Sequence, residues 1–564
     1  MRQLLISFII LTTAAALYSQ PRNIRFTDPL VDEIIKGDYN PADFIPAEII
    51  SDPESVVEHL LDGVSATRLK EYLIDMQQFR TRNTGSDTTI TGSGIGAARE
   101  WALKTFESFN ADNGGRLITS FMEFDQSVCS MSSHKNIVAV LPGVGEGNQE
   151  MVLIEGHFDS RCGTNCDIDC LAQGMEDNAS GSGLVLELAR VMSQLTFDKT
   201  IMFMLTIGEE QGLIGANALA FYCLSNSIDV HSVFNNDIVG GVICGSTASP
   251  PGCPGLNEVD SINVRLYSAG TFNSLNKSLA RFTKLEYHEN LRDRMDVKPI
   301  INIMSAEDRI GRGGDHIPFR QFGYPAIRFT SANEHGDAGI HPDYTDRQHT
   351  TTDILGIDTD GDSEIDSFFV DFNYLQRNAL LNGNAAAVAA SGPVTPRLAD
   401  LEPDIDGFTV TIQDEFDYGE YKVGIRSITN DFDTIITVRE KTAQIIGDFD
   451  QDVRYFISVA AVDELGRESL FSNELTADLL SSVTDLGSQL GVELLQNRPN
   501  PFDDRTSISV LVEEAFAYKT AKIEVIKPFG TILYSSDIKL DEGMNEIWYD
   551  HQYHHFSQAY YTIV

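Results

Sequence analysis

Residues 151–160 read MVLIEGHFDS and residues 200–210 read TIMFMLTIGEE, and these two stretches indicate the fold. Each contains a short apolar run, Val152–Glu155 in the first and Ile201–Ile207 in the second. Each run stops at a glycine that is followed by histidine or acidic residues. Leu184–Leu195, between the two runs, has apolar residues at helical spacing. Short apolar runs that alternate with helices are typical of parallel strands in an α/β sheet.

The same alternation extends over residues 66–391 and predicts one α/β domain, with a mostly parallel mixed sheet flanked by helices. Phe368–Ala390 is predicted to close this domain as a long helix. The other predicted elements are helix Leu213–Leu224 and strands Ile137–Leu141, Val230–Asn235, Ile262–Tyr267, Pro299–Met304 and Ala326–Thr330.

The segments outside this domain differ in composition. Residues 20–65 mix acidic and prolyl stretches and are interpreted as an N-terminal arm or a pro-segment. Residues 392–479 contain short alternating strands, at Phe408–Ile412, Tyr421–Ile425, Ile435–Arg439 and Tyr455–Val462. Residues 486–564 are also rich in β patterns. Two small all-β sandwich domains are therefore expected after the α/β domain.

The first residues have the pattern of a signal peptide. Arg2 precedes the short apolar run Leu4–Leu17, and residues 1–19 would be removed on export. No later apolar run reaches the roughly 18 residues of a membrane span. We expect a protein that is exported through the periplasm and secreted or held at the cell surface, without a membrane span.

The chain is strongly acidic, with 83 acidic and 41 basic residues and a formal net charge of −42. Nucleic acids and anionic membranes are therefore poor partners. The acidity indicates either a solvated surface or carboxylate sites for divalent cations.

Seven cysteines would be able to form disulfides in an oxidising compartment. Cys162, Cys166 and Cys170 indicate a local disulfide or a metal site, although zinc–thiolate sites usually need four ligands. Cys244 and Cys253 flank a loop rich in proline and glycine and could pair. The full set is Cys129, Cys162, Cys166, Cys170, Cys223, Cys244 and Cys253, and Cys223 is a candidate for the odd thiol.

Histidine and acidic residues follow the predicted strands where each strand ends. In an open α/β sheet, ligands bind beyond the carboxyl ends of the strands. A mixed set of imidazole and carboxylate groups suits zinc or another divalent metal. Taken singly, Asp177 could cap the next helix and Glu209-Glu210 could be a solvated turn. The candidates are His157, Asp159, Asp177, Glu209, Glu210, Asp237 and His349.

As an ordered set, these motifs resemble the two-zinc aminopeptidases related to secreted bacterial leucyl aminopeptidases, a family that also contains glutamate carboxypeptidases. The resemblance spans about residues 66–390. Its motifs are His157-Phe158-Asp159-Ser160, Glu176-Asp177-Asn178-Ala179-Ser180-Gly181, Gly208-Glu209-Glu210, Asn236-Asp237, Gly314-Asp315-His316 and His349-Thr350.

The resemblance implies a role for each matching residue. His157 and Asp237 would bind one zinc ion, and Glu210 and His349 the other. Asp177 would bridge the two ions. Glu209 would be the general base that takes a proton from the attacking water. Asp159 would orient the imidazole of His157.

Two features depart from the family pattern. Some members have a tyrosine shortly before the Asp315-His316 pair, where it helps to hold the oxyanion. Residues 309–314 contain no tyrosine, and Arg312 is the predicted substitute. The cysteine-rich insert that includes Cys166 lies between two ligands and could shape the substrate entrance.

A second metal site is suggested by Asp358, Asp360 and Asp362, which resemble the start of a calcium loop. Phe369 stands where a bidentate glutamate would complete that loop, so an acidic surface loop is the alternative.

The C-terminal domains carry two further resemblances. Tyr455–Asp463, followed by Gly466 and Ser469, resembles part of a fibronectin type III domain. The octapeptide Leu495-Gln496-Asn497-Arg498-Pro499-Asn500-Pro501-Phe502 resembles the opening of a sorting domain of the type IX secretion system, whose machinery would then be a partner.

Three functions follow from these patterns. The first is a secreted zinc aminopeptidase that acts on peptides with a free N-terminus. The second is a zinc carboxypeptidase or dipeptidase of the same family. The third is a non-catalytic surface adhesin that keeps the fold, which the loss of a metal ligand or of Glu209 would have favoured.

Overall fold

The structure is a computed structural model, and it describes a large part of the 564-residue chain. The described residues are 20–145, 147–245, 251–271, 273–309, 312–333, 347–404, 406–428, 431–450, 453–478, 492–494, 505–512, 519–526, 532–550 and 562–563. The predicted signal peptide and the octapeptide 495–502 lie outside them.

A nine-stranded mixed sheet forms the centre of the first part of the chain, with strand order β1-β2-β3-β5-β4-β6-β9-β7-β8. Its strands are β1 Arg22–Phe26, β2 Ile118–Val128, β3 Met131–Leu141, β4 Glu150–His157, β5 Thr200–Thr206, β6 Asp229–Asn236, β7 Asn263–Ser268, β8 Ile300–Ile303 and β9 Ala326–Ser331. The four central strands β5, β4, β6 and β9 run parallel to one another.

The predicted mixed sheet is confirmed, and its parallel pairs are those of the central strands and the edge pair of β7 with β8. β1, β2, β3 and β5 pair antiparallel, and so do β7 and β9. β2 had not been recognised because its buried and partly exposed residues alternate. Strands with one solvated face give a weaker apolar signal than fully buried parallel strands.

Helices cover both faces of the sheet, because successive residues of its central strands point to opposite sides. Ile201, Phe203 and Leu205 pack into one core, and Met202 and Met204 pack into the other. The helices are α1 Pro29–Ile35, α2 Pro53–Gly63, α3 Ala66–Gln77, α4 Gly94–Ser108, α5 Ser180–Met192, α6 Ile214–Asn226, α7 Leu275–Glu286, α8 His316–Gln321 and α9 Phe372–Ser391. None of the helices in the described ranges combines the length and the apolarity that a membrane crossing needs.

The segment that was interpreted as an N-terminal arm or pro-segment contributes to both cores. Its strand β1 pairs with β2. Val31 and Ile34 of α1 are buried in one core, and Val57 and Leu60 of α2 are buried in the other. These residues are therefore part of the packed fold.

Six cysteines form three disulfides, Cys129–Cys166, Cys162–Cys170 and Cys244–Cys253. Two of these pairings agree with the expectations of a local disulfide in the insert and a bridge across the later loop. The partner of Cys166 lies 37 residues away in sequence, in the turn between β2 and β3. Cys223 has a free, buried thiol, as expected.

The regular elements that the structure describes after α9 are β-strands. Two sheets, ordered β12-β13-β16 and β15-β14-β17-β18, follow α9, and two further sheets, ordered β19-β20-β23 and β22-β21-β24, follow those. β10 and β11 form a separate hairpin before α9. The strands are β10 Gly356–Ile357, β11 Ser367–Phe368, β12 Arg397–Pro403, β13 Gly407–Gln413, β14 Glu420–Arg426, β15 Thr434–Val438, β16 Thr442–Ile446, β17 Arg454–Val462, β18 Leu475–Asp478, β19 Val492–Leu494, β20 Arg505–Val512, β21 Lys519–Ile526, β22 Ile532–Leu540, β23 Gly543–Asp550 and β24 Thr562–Ile563.

The chain divides into two compact units. The first comprises the described residues up to Asp400 together with Thr411–Ala443 and Phe456–Leu475. The second comprises Leu401–Val410, Gln444–Tyr455 and the described residues from Thr476 onward. In the second unit, the rings of Phe408, Phe449 and Tyr455 pack together at centroid distances of 5.0 to 5.7 Å.

Within the first unit, buried ion pairs join the β-strands to the helices of the α/β part. Glu474 accepts hydrogen bonds from Arg281 at 3.0 Å and from Arg426 at 2.6 Å, and all three side chains are at most 5% exposed. A buried carboxylate shared by two guanidinium groups is costly to remove, because their charges remain in a medium of low dielectric.

We expect Glu474→Gln to lower the free energy of unfolding by about 3–5 kcal/mol, since it removes the charge that both guanidinium groups share. Urea unfolding followed by circular dichroism measures this change. Asp478→Asn is the matched control, because Asp478 and Arg454 form an exposed pair with side chains 52% and 60% exposed. That substitution should cost less than about 1 kcal/mol. Equal costs for the two substitutions would contradict the structural role of Glu474.

Candidate metal centre

The carboxyl ends of the central parallel strands bring the predicted residues to one edge of the sheet. His157 is the last residue of β4, and Asp237 directly follows β6. Glu209 and Glu210 follow β5 after a short turn. Asp177 lies in the turn Met175–Ala179 that leads into α5. His349 comes from the loop between β9 and α9.

Asp177 is at the centre of this arrangement, because each of its carboxylate oxygens faces a different histidine. Its Oδ1 lies 3.1 Å from His157 Nε2, and its Oδ2 lies 3.0 Å from His349 Nε2. Asp237 Oδ1 completes the first group at 3.3 Å from His157 Nε2. Glu210 Oε2 completes the second group at 3.2 Å from His349 Nε2.

The spacing and the chemistry of these atoms fit zinc. Ligand atoms at about 2.0 Å from a tetrahedral zinc ion lie about 3.3 Å from one another. The four contacts measure 3.0 to 3.3 Å. Each group supplies one imidazole nitrogen and two carboxylate oxygens. Glu210 Oε1 is buried and accepts no hydrogen bond from the described residues, which leaves a lone pair for a cation.

The pKa values of the histidines reflect the negative charge around them. Burial alone would lower the pKa of His349, but Glu210 and Asp177 raise it to about 9. Burial would likewise lower the pKa of His157, but Asp237, Asp159 and Asp177 raise it well above its usual value. These carboxylates therefore favour a positive charge at both histidine positions, as a bound cation would supply.

Glu209 lies next to the ligand positions but belongs to neither group of three. Burial raises the pKa of Glu209 well above its usual value, and the neighbouring carboxylates of Asp237, Glu210 and Asp315 raise it further. Asp315, from the predicted Gly314-Asp315-His316 motif, is fully buried, and burial raises its pKa to about 7.

Asp159 fixes the loop that carries the two glutamates. Its carboxylate oxygens accept hydrogen bonds from the backbone amides of Glu209 at 3.2 Å and Glu210 at 3.4 Å. The contact with His157 Nδ1, at 3.1 Å, is made by the main-chain carbonyl of Asp159, whereas the carboxylate lies 3.7 Å away. Asp159 therefore contacts His157 through both its main chain and its carboxylate, and its predicted role in orienting that imidazole stays a prediction.

Two arginines lie beside His349. Arg312, the predicted substitute for tyrosine, has Nη1 at 3.4 Å from His349 Nδ1. Arg161 was not predicted, although it directly follows the His157–Ser160 motif. It donates to Glu210 Oε2 at 2.6 Å and lies 2.7 Å from His349 Nδ1. Its only signal in the sequence was its position, a few residues after the strand end that carries His157.

Residues that the sequence did not single out hold the predicted ligands in place. Asp353 accepts hydrogen bonds from the amides of Glu176 and Asp177 at 2.8 and 3.0 Å. Arg328, fully buried on β9, lies 3.0 Å from Asp237 Oδ2 and donates to both carboxylate oxygens of Asp308 at 2.8 Å.

Gly181 allows the start of α5 to lie close to the end of β6. A β-carbon at this position would stand 2.1 Å from the carbonyl oxygen of Asn236, so only glycine fits without a shift of the backbone. Asn178 strengthens the same contact by donating to that carbonyl oxygen at 2.8 Å. The turn that carries Asp177 is therefore anchored directly beside Asp237.

The model of peptidase family M28 matches residues 136–246, which include every predicted ligand except His349. A probable zinc metalloprotease of Leptosphaeria maculans is 30% identical over 365 residues, which cover 63% of this chain and 80% of the relative. A probable zinc metalloprotease of Pyricularia oryzae is 31% identical over 410 residues, or 70% of this chain and 78% of the relative.

The chain belongs to peptidase family M28. Within that family it is a zinc metallopeptidase, a hydrolase whose substrates are peptides. Among solved structures, the LapA aminopeptidase of Legionella pneumophila is similar at 19% identity and a TM-score of 0.43, over 60% of this chain and 74% of that chain.

We expect the variant Arg328→Lys of this M28 peptidase to lower its zinc affinity by about 10–100-fold, because lysine cannot hold Asp237 and Asp308 with one planar fork. Competition with a chromogenic chelator measures the affinity. Arg320→Lys is the control, since Arg320 pairs with Glu307 where both side chains are about one third exposed. Equal affinities of Arg328→Lys and the unsubstituted chain would show that Arg328 does not position the ligand.

Proposed function

We propose that this chain is an aminopeptidase that uses two zinc ions to release the N-terminal residue of peptides. The observation that carries the proposal is the position of Asp177, with its two oxygens 3.1 and 3.0 Å from the Nε2 atoms of His157 and His349. A carboxylate that faces two imidazoles in this way suits a bridge between two metal ions.

Each residue then has one task at the site. His157 and Asp237 would hold one ion, His349 and Glu210 would hold the other, and Asp177 would contribute to both. When bound, zinc lowers the pKa of a water molecule and polarises the scissile carbonyl. Arg328, behind Asp237, and Asp159, behind the glutamate loop, keep the ligands in position.

Glu209 is the proposed general base. It directly precedes the ligand Glu210, and Asp159 holds the backbone amides of both residues. A carboxylate beside the ions but outside both ligand groups can accept the proton of the attacking water and pass it to the leaving amine. Arg312, beside His349, is proposed to support the oxyanion that forms on the carbonyl.

Substrates with a free α-amino group suit the proposed two-ion site. Asp177, Glu210 and Asp237 would be bound to the ions, so their charge would already be balanced. A neutral α-amino group could then bind through its lone pair to one of the ions, and its position there would place the first peptide bond at the site. This recognition would restrict cleavage to the N-terminal residue.

A second candidate function is a dipeptidase or carboxypeptidase of the same chemistry. The specific observation in its favour is the pair of guanidinium groups of Arg161 and Arg312 beside His349. A pair of arginines can bind a substrate carboxylate. A dipeptide would present such a carboxylate two residues from its free amine.

We further propose that the protein is exported and acts outside the cell, on the basis of the signal-like residues 1–19 and the sorting-domain resemblance of residues 486–564. Three disulfides support an oxidising compartment.

Residues 392–479 would be a fibronectin-like spacer, whose strands β13, β14, β15 and β17 lie within one residue of the predicted ones. In the acidic loop, the carboxylates that lie close together are those of Asp358, Asp360 and Asp366, and Asp362 is not among them. We keep this loop as a proposed calcium site.

We expect the zinc-loaded chain to hydrolyse aminoacyl anilides and not their N-acetylated counterparts, because acetylation removes the free amine that would bind at the ions. A chelator should abolish hydrolysis, and added zinc should restore it. Elemental analysis should give two zinc ions per chain, and Asp177→Asn should reduce that number. Hydrolysis of dipeptides without hydrolysis of anilides would favour the second candidate. Equal hydrolysis of acetylated substrates would contradict both.

We expect Glu209→Gln to lower kcat by about 10²–10⁴-fold with little change in zinc content, since the amide cannot accept a proton. Steady-state kinetics and elemental analysis of the same samples test this split. Glu210→Gln is the matched neighbour and should reduce zinc content as well as rate. Loss of zinc from Glu209→Gln would identify Glu209 as a ligand instead of a base.

A further inference from the structure

A polar cavity lies in the first unit, away from the candidate metal centre. It has a volume of about 40 Å³ and lies between the ends of α7 and α9 and the turn after β17. The start of α2 and the residues just before it also line the cavity. Its polar lining residues other than Arg467 are Ser51, Glu286, Asn290, Asn384, Ser391 and Glu468.

Several polar atoms of this cavity have no hydrogen-bond partner within the described ranges. They are Glu286 Oε1, Glu468 Oε2, Ser391 Oγ and both side-chain amide atoms of Asn384. Glu286 and Asn384 are each only 1% exposed, and Ser391 is 6% exposed. Buried oxygens that find no donor in the protein need another partner, either water, a proton or a cation.

The charges around the cavity do not balance. Carboxylate oxygens of Glu286, Glu289 and Glu468 lie within 4.8 Å of one another. Lys422 is the one cation in contact with them among the described residues, and it pairs with Glu289 at 2.9 Å and with Glu468. Burial raises the pKa of Glu286 well above its usual value, and Glu468 and Glu289 raise it further.

Arg467 also lines the cavity, but its guanidinium group is engaged elsewhere. It donates to Asp463 at 2.6 Å and to Asp198 at 2.7 Å. Its charge is therefore matched by those two carboxylates. The three glutamates keep one ammonium group between them, and a divalent cation would bring the cluster to neutrality.

We propose that this cavity binds one calcium ion. The available ligands are carboxylate, amide and hydroxyl oxygens, with no imidazole or thiol in the lining, and such sets select hard cations rather than zinc. Glu286, Glu468, Asn384 and Ser391 supply the oxygens. Calcium accepts six to eight oxygens in flexible geometry, so protein atoms on three elements and one or two waters can complete its shell.

The site has a structural consequence, because its ligands come from the α/β part and from the strands beyond it. Helix α9 ends at Ser391, and Glu468 follows β17. The backbone is tightly packed here, since a β-carbon at Gly392 would stand 1.9 Å from the carbonyl oxygen of Glu468. A calcium ion would hold the β17 segment to α7 and α9.

Calcium retention by the zinc-loaded full chain tests the proposal. Asp358→Asn/Asp360→Asn is used as the background, so that the exposed acidic loop does not contribute. Equilibrium dialysis with elemental analysis should give one retained calcium ion per chain. Calcium at about 100 times its dissociation constant should raise Tm by roughly 3 °C.

In the same background, Glu286→Gln and Glu468→Gln should each abolish calcium retention and the rise in Tm, with zinc content unchanged. Glu71→Gln, in the exposed pair of Arg68 and Glu71, is the matched control and should keep both. If Glu286→Gln fails to fold, calcium retention by Glu468→Gln and by the background chain still tests the proposal. No calcium in the background chain, or calcium kept by the glutamine variants, would overturn the proposal and leave protons and water as the partners of these oxygens.

Discussion

Concentrated negative charge at the carboxyl edge of the central strands is the constraint on which the rest of the structure depends. Asp177, Glu209, Glu210, Asp237 and Asp315 lie together there. Buried carboxylates repel one another strongly at low dielectric, so such a cluster is stable only with positive charge close by. Arg328 and Arg161 supply part of that charge, and the zinc that is implied for this family of metallopeptidases would add to it.

The backbone around the cluster is arranged so that its carboxylates keep their positions. The carboxylate of Asp353 accepts hydrogen bonds from the backbone amides of Glu176 and Asp177. The carboxylate of Asp159 accepts hydrogen bonds from the backbone amides of Glu209 and Glu210. In each case a carboxylate outside the ligand set binds backbone donors, which fixes a loop without taking up a ligand atom. Ligand positions held in this way are preorganised for a metal ion.

Paired charges also join the α/β part of the first unit to the β-strands that follow α9. Glu474 lies between two buried arginines, and Lys422 lies between two glutamates. Separating the buried Glu474 from Arg281 and Arg426 would leave buried charges without compensation, which is costly. In the first unit, the strands from Thr411 to Ala443 and from Phe456 to Leu475 are thus attached by paired charges as well as by apolar contacts.

The sequence alone was enough to predict the central strands and the helices between them, because fully buried parallel strands give continuous apolar runs. It also named His157, Asp177, Glu210, Asp237 and His349, which the structure brings together at one edge of the sheet. It also indicated the disulfide between Cys244 and Cys253, two cysteines that are close in sequence.

Only the tertiary structure decided the antiparallel edges of the sheet and the pairing of Cys129 with Cys166. It alone placed Arg161, Arg328 and Asp353 around the ligands, since residues far apart in sequence become neighbours only when the strands and loops pack. A periodic pattern reports which face of a strand is buried, whereas a charged residue on a distant segment gives no local signal of the partner that it will meet.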